Sequence, residues 1–156
     1  DFIDRVPFYG LAVLCLDNPS IQEIIPHIKK RYTTYGLSAQ ADYQAREVVF
    51  DGTRSRFQVY RQEKFIGEIL LNLPGSHNVY NSLAAIAVGF ELDIDFDRIK
   101  TALETIEGVQ RRLEFKGEVG GVMVMDDYGH HPTEIKTTLE AVRKSWPGRR
   151  LIVLLL

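Results

Sequence analysis

A strand–loop–helix pattern over residues 122–134, VMVMDDYGHHPTE, constrains the fold of this chain more than any other stretch. The four apolar residues Val122–Met125 predict a short buried strand, which Asp126 and Asp127 end. Pro132 predicts the start of a helix, because the missing N–H of proline is not needed in the first helical turn. Two carboxylates and two imidazoles are therefore expected between the carboxyl end of a strand and the amino end of a helix. Open α/β sheets bind ligands in that crevice, so the pattern predicts an α/β protein with a ligand site here.

The composition is sufficient for a real hydrophobic core. Hydrophobic residues make up 45% of the 156 positions, and a net charge of −2 gives no support for a nucleic-acid or membrane-surface partner. The single cysteine, Cys15, lies in the apolar run Leu11–Leu16, which predicts a buried thiol and a reducing compartment. No apolar run reaches the roughly 18 residues of a membrane span, and the first residues are not a signal peptide. We therefore expect a soluble cytoplasmic protein.

The two ends of the chain are unusual. The chain begins without a clear first element, and it ends inside the apolar run Leu151–Leu156, which would need strand partners on both sides. We expect an internal fragment of a longer protein.

Residues 11–71 predict two kinds of sheet structure. Leu11–Leu16 and Thr33–Leu37 are predicted strands. Residues 17–19, directly after the first of them, predict only a turn. Ser20 is the predicted cap of a helix that Pro26 shortens or breaks, so this region is typical of a βαβ unit. Three further runs, with a hairpin signal at Asp51-Gly52, predict a small antiparallel sheet without obvious chemistry: Arg46–Phe50, Arg56–Arg61 and Phe65–Leu71.

Helical periodicity dominates after Pro74. The first predicted helix is His77–Leu92, whose Val79, Leu83, Ile86 and Phe90 form a stripe that faces the core. The second is Asp95–Ile106, which Gly108 is predicted to stop.

The last third of the chain predicts a second βαβ unit. Leu113–Val119 and Val122–Met125 are predicted strands joined by Gly120-Gly121. Thr133–Ser145 is a predicted amphipathic helix whose Ile135, Leu139 and Val142 face inward, and Leu151–Leu156 is a predicted final strand. We place a domain boundary near Arg112, which gives domains of residues 1–112 and 113–156.

Two amide side chains and two guanidinium groups are candidates for binding a nucleotide. Asn78 and Asn81 are three residues apart and share a helix face, and an asparagine amide can match the N6/N7 edge of adenine. The alternative is that they only stabilise the helix start. Arg111 and Arg112 could hold phosphate bidentately, and the alternative for them is a solvated pair in a linker.

The cluster after the strand 122–125 allows three interpretations. Asp126, Asp127, His130 and His131 could bind a divalent metal, as in a metal-dependent hydrolase. Asp127 could instead contact a nucleotide. In the third, the carboxylates end a strand while His131 and Glu134 cap the helix. A P-loop is absent from the sequence, so an ATP phosphate cradle would lie outside these residues.

Three motifs in this order resemble the Mur ligases, ATP-dependent amide-forming enzymes of peptidoglycan precursor synthesis. GSHNVYNSLAA resembles the asparagine segment of the central ATPase domain, and GVQRRLE resembles the arginine motif before the carboxy-terminal domain. DDYGHHPTE, the most specific motif, is similar to the version in members that join L-alanine to UDP-N-acetylmuramate. The murein-peptide recycling ligase of the family, which is the alternative, tends to carry phenylalanine and alanine where this chain has Tyr128-Gly129.

The resemblance implies a fold and a set of site residues. Residues 1–112 would be the carboxy-terminal part of the central ATP-binding domain, and residues 113–156 the truncated start of a Rossmann-like ligase domain. Asn78 and Asn81 would lie near the adenine of ATP, and Arg112 and Asp127 would reach the nucleotide when the domains close. His77 and His130 would be near the site by neighbourhood.

The resemblance also implies a mechanism and its substrates, which are ATP, UDP-N-acetylmuramate and L-alanine. ATP would phosphorylate the carboxylate, and the amine would attack the acyl phosphate. The ligands of Mg²⁺ would lie mostly outside this chain, and so would the UDP-binding domain and the P-loop. The fragment alone is therefore expected to be inactive, and a non-catalytic nucleotide-binding fragment is a further alternative.

Overall fold

The computed structural model describes residues 2–108 and 110–155 of the chain. In chain order, the seven strands of this part are β1 (Ala12–Cys15), β2 (Tyr32–Gly36), β3 (Tyr43–Asp51), β4 (Arg54–Arg61), β5 (Lys64–Leu71), β6 (Glu114–Val119) and β7 (Val122–Asp126). Its α-helices are α1 (Pro19–Ile24), α2 (Ser76–Glu91), α3 (Phe96–Glu104) and α4 (Pro132–Ser145), and short 3₁₀ helices span Ile3–Arg5 and Ile25–His27. None of the helices in the described ranges is long and apolar enough to cross a membrane.

One mixed sheet of five strands organises the first two thirds of the chain. Its order is β1-β2-β3-β4-β5. The pairs β1–β2 and β2–β3 are parallel, and the pairs β3–β4 and β4–β5 are antiparallel. The predicted βαβ unit is confirmed, because α1 connects the parallel strands β1 and β2. The predicted antiparallel strands also form, and they continue this same sheet.

The first helix is short, as Pro26 predicts, but its cap differs from the predicted one. Asn18, not Ser20, caps α1, and its side-chain oxygen accepts the N–H groups of Ser20 and Ile21 at 2.9 and 3.4 Å. Asn18 takes this position because Pro19, which has no N–H, occupies the first helical residue. The helix then gives way to the 3₁₀ turn Ile25–His27.

Helix α2 lies on the sheet and builds the core. The predicted residues Val79, Leu83 and Ile86 are fully buried, together with Phe57 and Val59 of β4, and Phe90 is half-buried. Burying one such side chain stabilises the fold by about 1.5–3 kcal/mol, so α2 is held mainly by apolar contact.

Helix α3 covers β5 and α2 through Ile99 and Leu103, and it ends earlier than predicted. Its last residue is Glu104, four residues before the predicted stop at Gly108. The Thr105 hydroxyl donates to the carbonyl oxygens of Thr101 and Ala102, which satisfies acceptors of the last turn without a glycine.

The last third of the chain differs from its prediction in the burial of its second strand. Strands β6 and β7 form a separate two-stranded ribbon across Gly120-Gly121, so Val122 and Val124 are 64% and 55% exposed. The prediction of a buried strand 122–125 is therefore wrong, because a two-stranded ribbon has only one covered face here. Met123 and Met125 occupy that half-buried side.

The predicted second βαβ unit is not formed. Residues 151–155 carry no strand pairing, and position 156 lies outside the described residues. No described strand offers its backbone to this run, and an unpaired strand cannot satisfy its N–H and C=O groups. Helix α4 does form, but its fully buried residues are Ala141 and Ser145, whereas the predicted Ile135, Leu139 and Val142 are half-buried.

Two strand glycines provide a test of the packing between β5 and α3. Gly67 and Gly117 have similar φ angles of +155° and +150°, but a side chain at Gly67 would collide with the Phe96 ring, whereas nothing lies within 4 Å of one at Gly117. We expect Gly67→Ala to lower the free energy of unfolding by about 1–3 kcal/mol more than Gly117→Ala, measured by urea denaturation. Equal losses would show that backbone strain alone accounts for the effect.

Candidate functional site

The loop that opens α2 touches α4, which brings two of the predicted motifs together. Gly75 is the N-cap residue of α2, with φ +93°, and its surroundings leave no room for a side chain. A Cβ there would lie 2.7 Å from the Cβ of Ala141 and 2.8 Å from Cε1 of His77. Helix α4 can approach this loop closely because residue 75 has no side chain. The start of α2 and the C-terminal half of α4 are therefore neighbours in space.

The pKa of His77 is affected by residues from two segments that are distant in the sequence. Its Nδ1 atom is buried and has no hydrogen-bond partner among the described residues. Burial lowers the pKa of His77, the Asp127 carboxylate acts in the opposite direction, and the Arg112 guanidinium lowers it further. The imidazole is thus kept neutral. His77, Arg112 and Asp127, three of the predicted site residues, share one electrostatic environment.

The two asparagines of α2 differ in their bonding. The Asn78 amide donates to the carbonyl oxygen of Pro74 at 2.7 Å, so it ties the helix to the preceding loop. Asn81 is exposed and makes no hydrogen bond to any residue in the described ranges. No side chain accepts the first N–H groups of the helix, whose N-cap residue is Gly75, but the Asn78 bond stabilises the helix start as in the alternative interpretation, whereas Asn81 makes no such bond. The Asn81 amide remains available to a ligand.

The two arginines also differ. The Arg111 side chain pairs with Asp126 (Nε to Oδ2, 3.3 Å) and stacks over the Tyr128 ring at 4.9 Å from its centroid. Arg112 has only a long contact with Glu134 (NH1 to Oε1, 3.6 Å), and its side chain is 54% exposed. Arg112 has the weaker internal contact of the two, so its guanidinium group is the more available to an anion.

Asp127 organises the backbone around it. Its carboxylate accepts the N–H groups of Leu113 and Gly129 at 2.9 and 2.8 Å and the hydroxyl of Thr138 at 3.2 Å. These bonds join the residue before β6, the loop after β7 and helix α4. A carboxylate offers about four acceptor positions, so little capacity is left for a ligand.

The histidine pair belongs to the start of α4. The His131 ring accepts the N–H of Thr133 at 3.3 Å, and Glu134 accepts the N–H groups of His131 and His130, each at 3.3 Å. These N–H groups, of which that of His131 has the larger effect, hold the pKa of Glu134 below its ordinary value. The His130 side chain is exposed, with Nδ1 3.7 Å from Oε2 of Glu134. This is the capping arrangement of the third interpretation.

The structure does not assemble the metal site of the hydrolase interpretation. Across residues 2–108 and 110–155, no three His, Cys, Asp or Glu side chains lie together as ligands of a metal ion. The caps described above already use His131 and Glu134, and Asp126 is paired with Arg111.

One carboxylate that the sequence pattern assigns to a turn has a larger structural role. Asp17, two residues after β1, accepts the N–H groups of Leu37 and Ser38 at 2.5 and 3.0 Å and the hydroxyl of Tyr80 at 2.9 Å. An acidic residue directly after a buried strand is the same signal that singles out Asp126 and Asp127. Cys15, near this group, is half-buried rather than buried, and its partial burial raises the pKa of the thiol.

Comparison with known proteins identifies the family. The model of the Mur ligase middle domain matches residues 1–89, and the model described as Mur ligase, glutamate ligase domain matches residues 111–155. The chain belongs to the Mur ligase family. The resemblance found in the three sequence motifs is thereby confirmed, and so is the predicted α/β fold class.

The particular relatives are ligases that act on UDP-N-acetylmuramate. The chain is 62% identical over 153 residues to the UDP-N-acetylmuramate–L-alanine ligase of Desulfatibacillum aliphaticivorans, with 98% of this chain and 34% of that protein covered. The enzyme of the same name from Desulforapulum autotrophicum is 62% identical over 152 residues, covering 97% and 33%. The chain thus spans about a third of the length of these curated relatives, which fits the expectation of a fragment.

Solved structures show the same fold. UDP-N-acetylmuramate-alanine ligase MurC from Thermotoga maritima superposes with a TM-score of 0.71 at 29% identity, over 86% of this chain and 30% of that one. MurF from Acinetobacter baumannii gives a TM-score of 0.80 at 22% identity, over 92% and 31%. MurF from Thermotoga maritima, solved in complex with ADP, gives 0.71 at 19% identity, over 86% and 31%. The two MurF structures show likeness of fold alone.

The bonding of Asp127 leads to a stability prediction. Asp127→Asn places an amide N–H against donors that now point at a carboxylate, so we expect the free energy of unfolding to fall by about 1.5–3 kcal/mol. The neighbour Asp126 makes an exposed ion pair with Arg111, so Asp126→Asn should cost no more than about 1 kcal/mol. Urea denaturation of the two variants checks the difference. Similar losses for both would contradict the organising role of Asp127.

Proposed function

We propose that the full-length protein that carries this chain is an ATP-dependent ligase that joins L-alanine to UDP-N-acetylmuramate in peptidoglycan precursor synthesis. The single observation that supports the site is the convergence of His77, Arg112 and Asp127 from three separate segments, beside an exposed Asn81 without a hydrogen bond. The identity to enzymes named for this reaction supports the substrates. A cytoplasmic location, expected from the sequence, is part of the same proposal.

The chain would contribute two parts of such an enzyme. Residues 1–112 are proposed as the carboxy-terminal part of the central ATP-binding domain, and residues 113–156 as the start of the carboxy-terminal ligase domain. The boundary falls at Arg111-Arg112, where Arg111 has a positive φ of 57°. The site would lie where the two parts meet, at the contact between Gly75 and Ala141.

The residues present fit a nucleotide. Asn81 offers an unbonded amide with a donor and an acceptor side by side, and Asn78 precedes it by one helical turn, so we assign adenine to this pair. Arg112, whose guanidinium makes only one long contact, would bind phosphate oxygens. ADP is present in the MurF structure from Thermotoga maritima, a neighbour in fold.

Asp127 and His130 remain in the proposed site with different roles. Asp127, whose oxygens hold the loop together, would keep Arg112 and the start of α4 in place when a nucleotide is bound. His130 is exposed at the mouth of the same loop and would reach the nucleotide only at its edge. His77 would form a neutral wall beside Asp127.

Magnesium does not fit the residues present. The part of the chain that the structure describes gathers no set of acidic or imidazole ligands for a cation, so Mg²⁺ would be held by residues outside it. No step of the reaction is therefore derived through the metal.

The proposed reaction has two steps. The γ-phosphoryl group of ATP passes to the carboxylate of UDP-N-acetylmuramate, and the amine of L-alanine then attacks the resulting acyl phosphate and expels phosphate. Phosphoryl transfer depends on positioning the phosphate and on stabilising its negative charge. Within this chain, Arg112 is the side chain that we assign to stabilising that charge.

A second candidate within the family is the murein-peptide ligase. The murein peptide ligase from Psychrobacter arcticus superposes with a TM-score of 0.66 at 28% identity. The loop that carries Tyr128-Gly129 favours the L-alanine ligase, as the sequence motif predicts. The metal-dependent hydrolase receives no support from the described residues.

A turnover assay tests the proposal directly. Full-length protein with ATP and UDP-N-acetylmuramate should release phosphate when L-alanine is added, whereas a murein peptide added in place of L-alanine should give none. The isolated 156-residue chain should show no turnover. Phosphate release by the isolated chain that depends on L-alanine would contradict the expectation that the reaction needs a phosphate cradle outside these residues. Full-length protein that is active only with the murein peptide in place of L-alanine would favour the recycling ligase.

Removing the Asn81 amide should weaken nucleotide binding. In the full-length protein we expect Asn81→Ala to cost about 1–2 kcal/mol of ADP binding, or about five- to thirtyfold in Kd, measured by calorimetric titration. The control is Val88→Ala, which shortens an exposed side chain two turns further along α2 and should leave the Kd unchanged. An unchanged Kd for Asn81→Ala would remove Asn81 from the adenine site.

A further inference from the structure

The carboxylate of Asp17 connects three elements at one edge of the five-stranded sheet. It follows β1, accepts the N–H groups of Leu37 and Ser38 just after β2, and accepts the hydroxyl of Tyr80 in α2 at 2.9 Å. The carboxyl ends of two parallel strands and the second turn of α2 are thereby joined by one side chain.

This carboxylate is held firmly. A Cβ at Gly36 would lie only 2.8 Å from Oδ2 of Asp17, so the carboxylate packs directly on the backbone of β2. Burial and the hydrogen bond to Asp17 raise the pKa of Tyr80 well above its usual range. The Tyr80 hydroxyl therefore keeps its proton and remains a donor to a fixed acceptor.

Helix α2 has few directional links to its surroundings. Its buried stripe is apolar, and apolar contact has no directional preference. Among the described residues, two side-chain hydrogen-bonding links join α2 to the sheet region. Arg31 binds Glu91 at the last residue of the helix (NH2 to Oε2, 2.7 Å), and Tyr80 binds Asp17 near its start. At the start of the helix the Asn78 amide binds the carbonyl oxygen of Pro74 in the preceding loop, which is not part of the sheet, and the N-cap residue Gly75 supplies no side-chain bond.

A small rotation of α2 would matter at Asn81. The side chains of an α-helix reach roughly 6 Å from its axis, so a rotation of about 20° moves their tips by about 2 Å. A hydrogen bond to a base tolerates far less displacement than that. Asn81 directly follows Tyr80, so the bond that fixes Tyr80 also fixes the direction of Asn81.

We propose that Tyr80 and Asp17 are positioning residues, which set the axial rotation of α2 so that Asn81 meets the adenine edge of ATP. This inference rests on the proposed function, in which Asn81 contacts adenine. Neither residue touches the nucleotide. Their role is to set the selectivity of the site for one base, whereas the stability of the core comes from the buried stripe.

The test is Tyr80→Phe in the full-length protein, which keeps the ring and removes only the hydroxyl. The readout is the ratio of kcat/KM for ATP to kcat/KM for GTP, because partial unfolding lowers both values equally and leaves their ratio unchanged. We expect the ratio to fall about three- to tenfold, through a higher KM for ATP, with KM for UDP-N-acetylmuramate and L-alanine unchanged. Asp17→Asn, which keeps an oxygen acceptor, should lower the ratio less.

Tyr60→Phe is the matched control. It removes a hydroxyl that donates to Gln58 on β4, in a residue that the proposed site does not use, and should leave the ratio at the wild-type value. A Tyr80→Phe enzyme with an unchanged ratio, whether or not its melting temperature falls, would overturn the inference while the proposed function stands. A wild-type protein without ligase turnover would refute the proposed function. ADP titration would then decide the inference, and equal Kd values for wild type and Tyr80→Phe would overturn it.

Discussion

The close approach of α4 to the loop before α2 is the constraint on which the candidate site depends. It requires a residue without a side chain at position 75, with a positive φ, and a small residue at position 141 of the facing helix. A second contact, from the N–H of Gly52 to the carbonyl oxygen of Ser145 at 3.3 Å, joins α4 to the turn between β3 and β4. The side chains of Asp127 and Arg112 act on the pKa of His77, which lies beside Gly75 in the first turn of α2. A larger residue at position 75 would separate the groups that the proposed function needs together.

Most of the acidic side chains at this edge of the molecule are occupied by the fold itself. Asp127 binds two backbone N–H groups and a hydroxyl, Glu134 caps α4, and Asp17 joins β1, β2 and α2. The side chains left for a ligand are those with weak or no internal bonds, namely Asn81 and Arg112. This division explains why a cluster rich in Asp and His is not a metal site within the described ranges. Its carboxylates orient backbone and helices, and the neutral amide and the arginine face outward.

Much of the fold could be predicted from local patterns. The periodicity of Val79, Leu83 and Ile86 predicts α2, and the alternation of strand and helix around Pro19 predicts the first βαβ unit, because both signals are carried by neighbouring residues. The exposed face of Val122 and Val124 could not be predicted, because an apolar run has the same sequence whether one or both of its faces are covered. The final run 151–155 shows the same limit, since pairing depends on a partner strand and not on the run itself.

The sequence by itself determined the family of the protein, because the motifs around Asn81, Arg112 and DDYGHHPTE are local and specific. It also determined which residue types were available for nucleotide chemistry. Only the tertiary structure decided how they divide their work. Asp127 and His131 are committed to backbone N–H groups, Arg111 is paired with Asp126, and Arg112 and Asn81 remain open. The physical reason is that a polar side chain is available to a ligand only when the fold has not already used its hydrogen bonds, and those partners are set by contacts between distant segments.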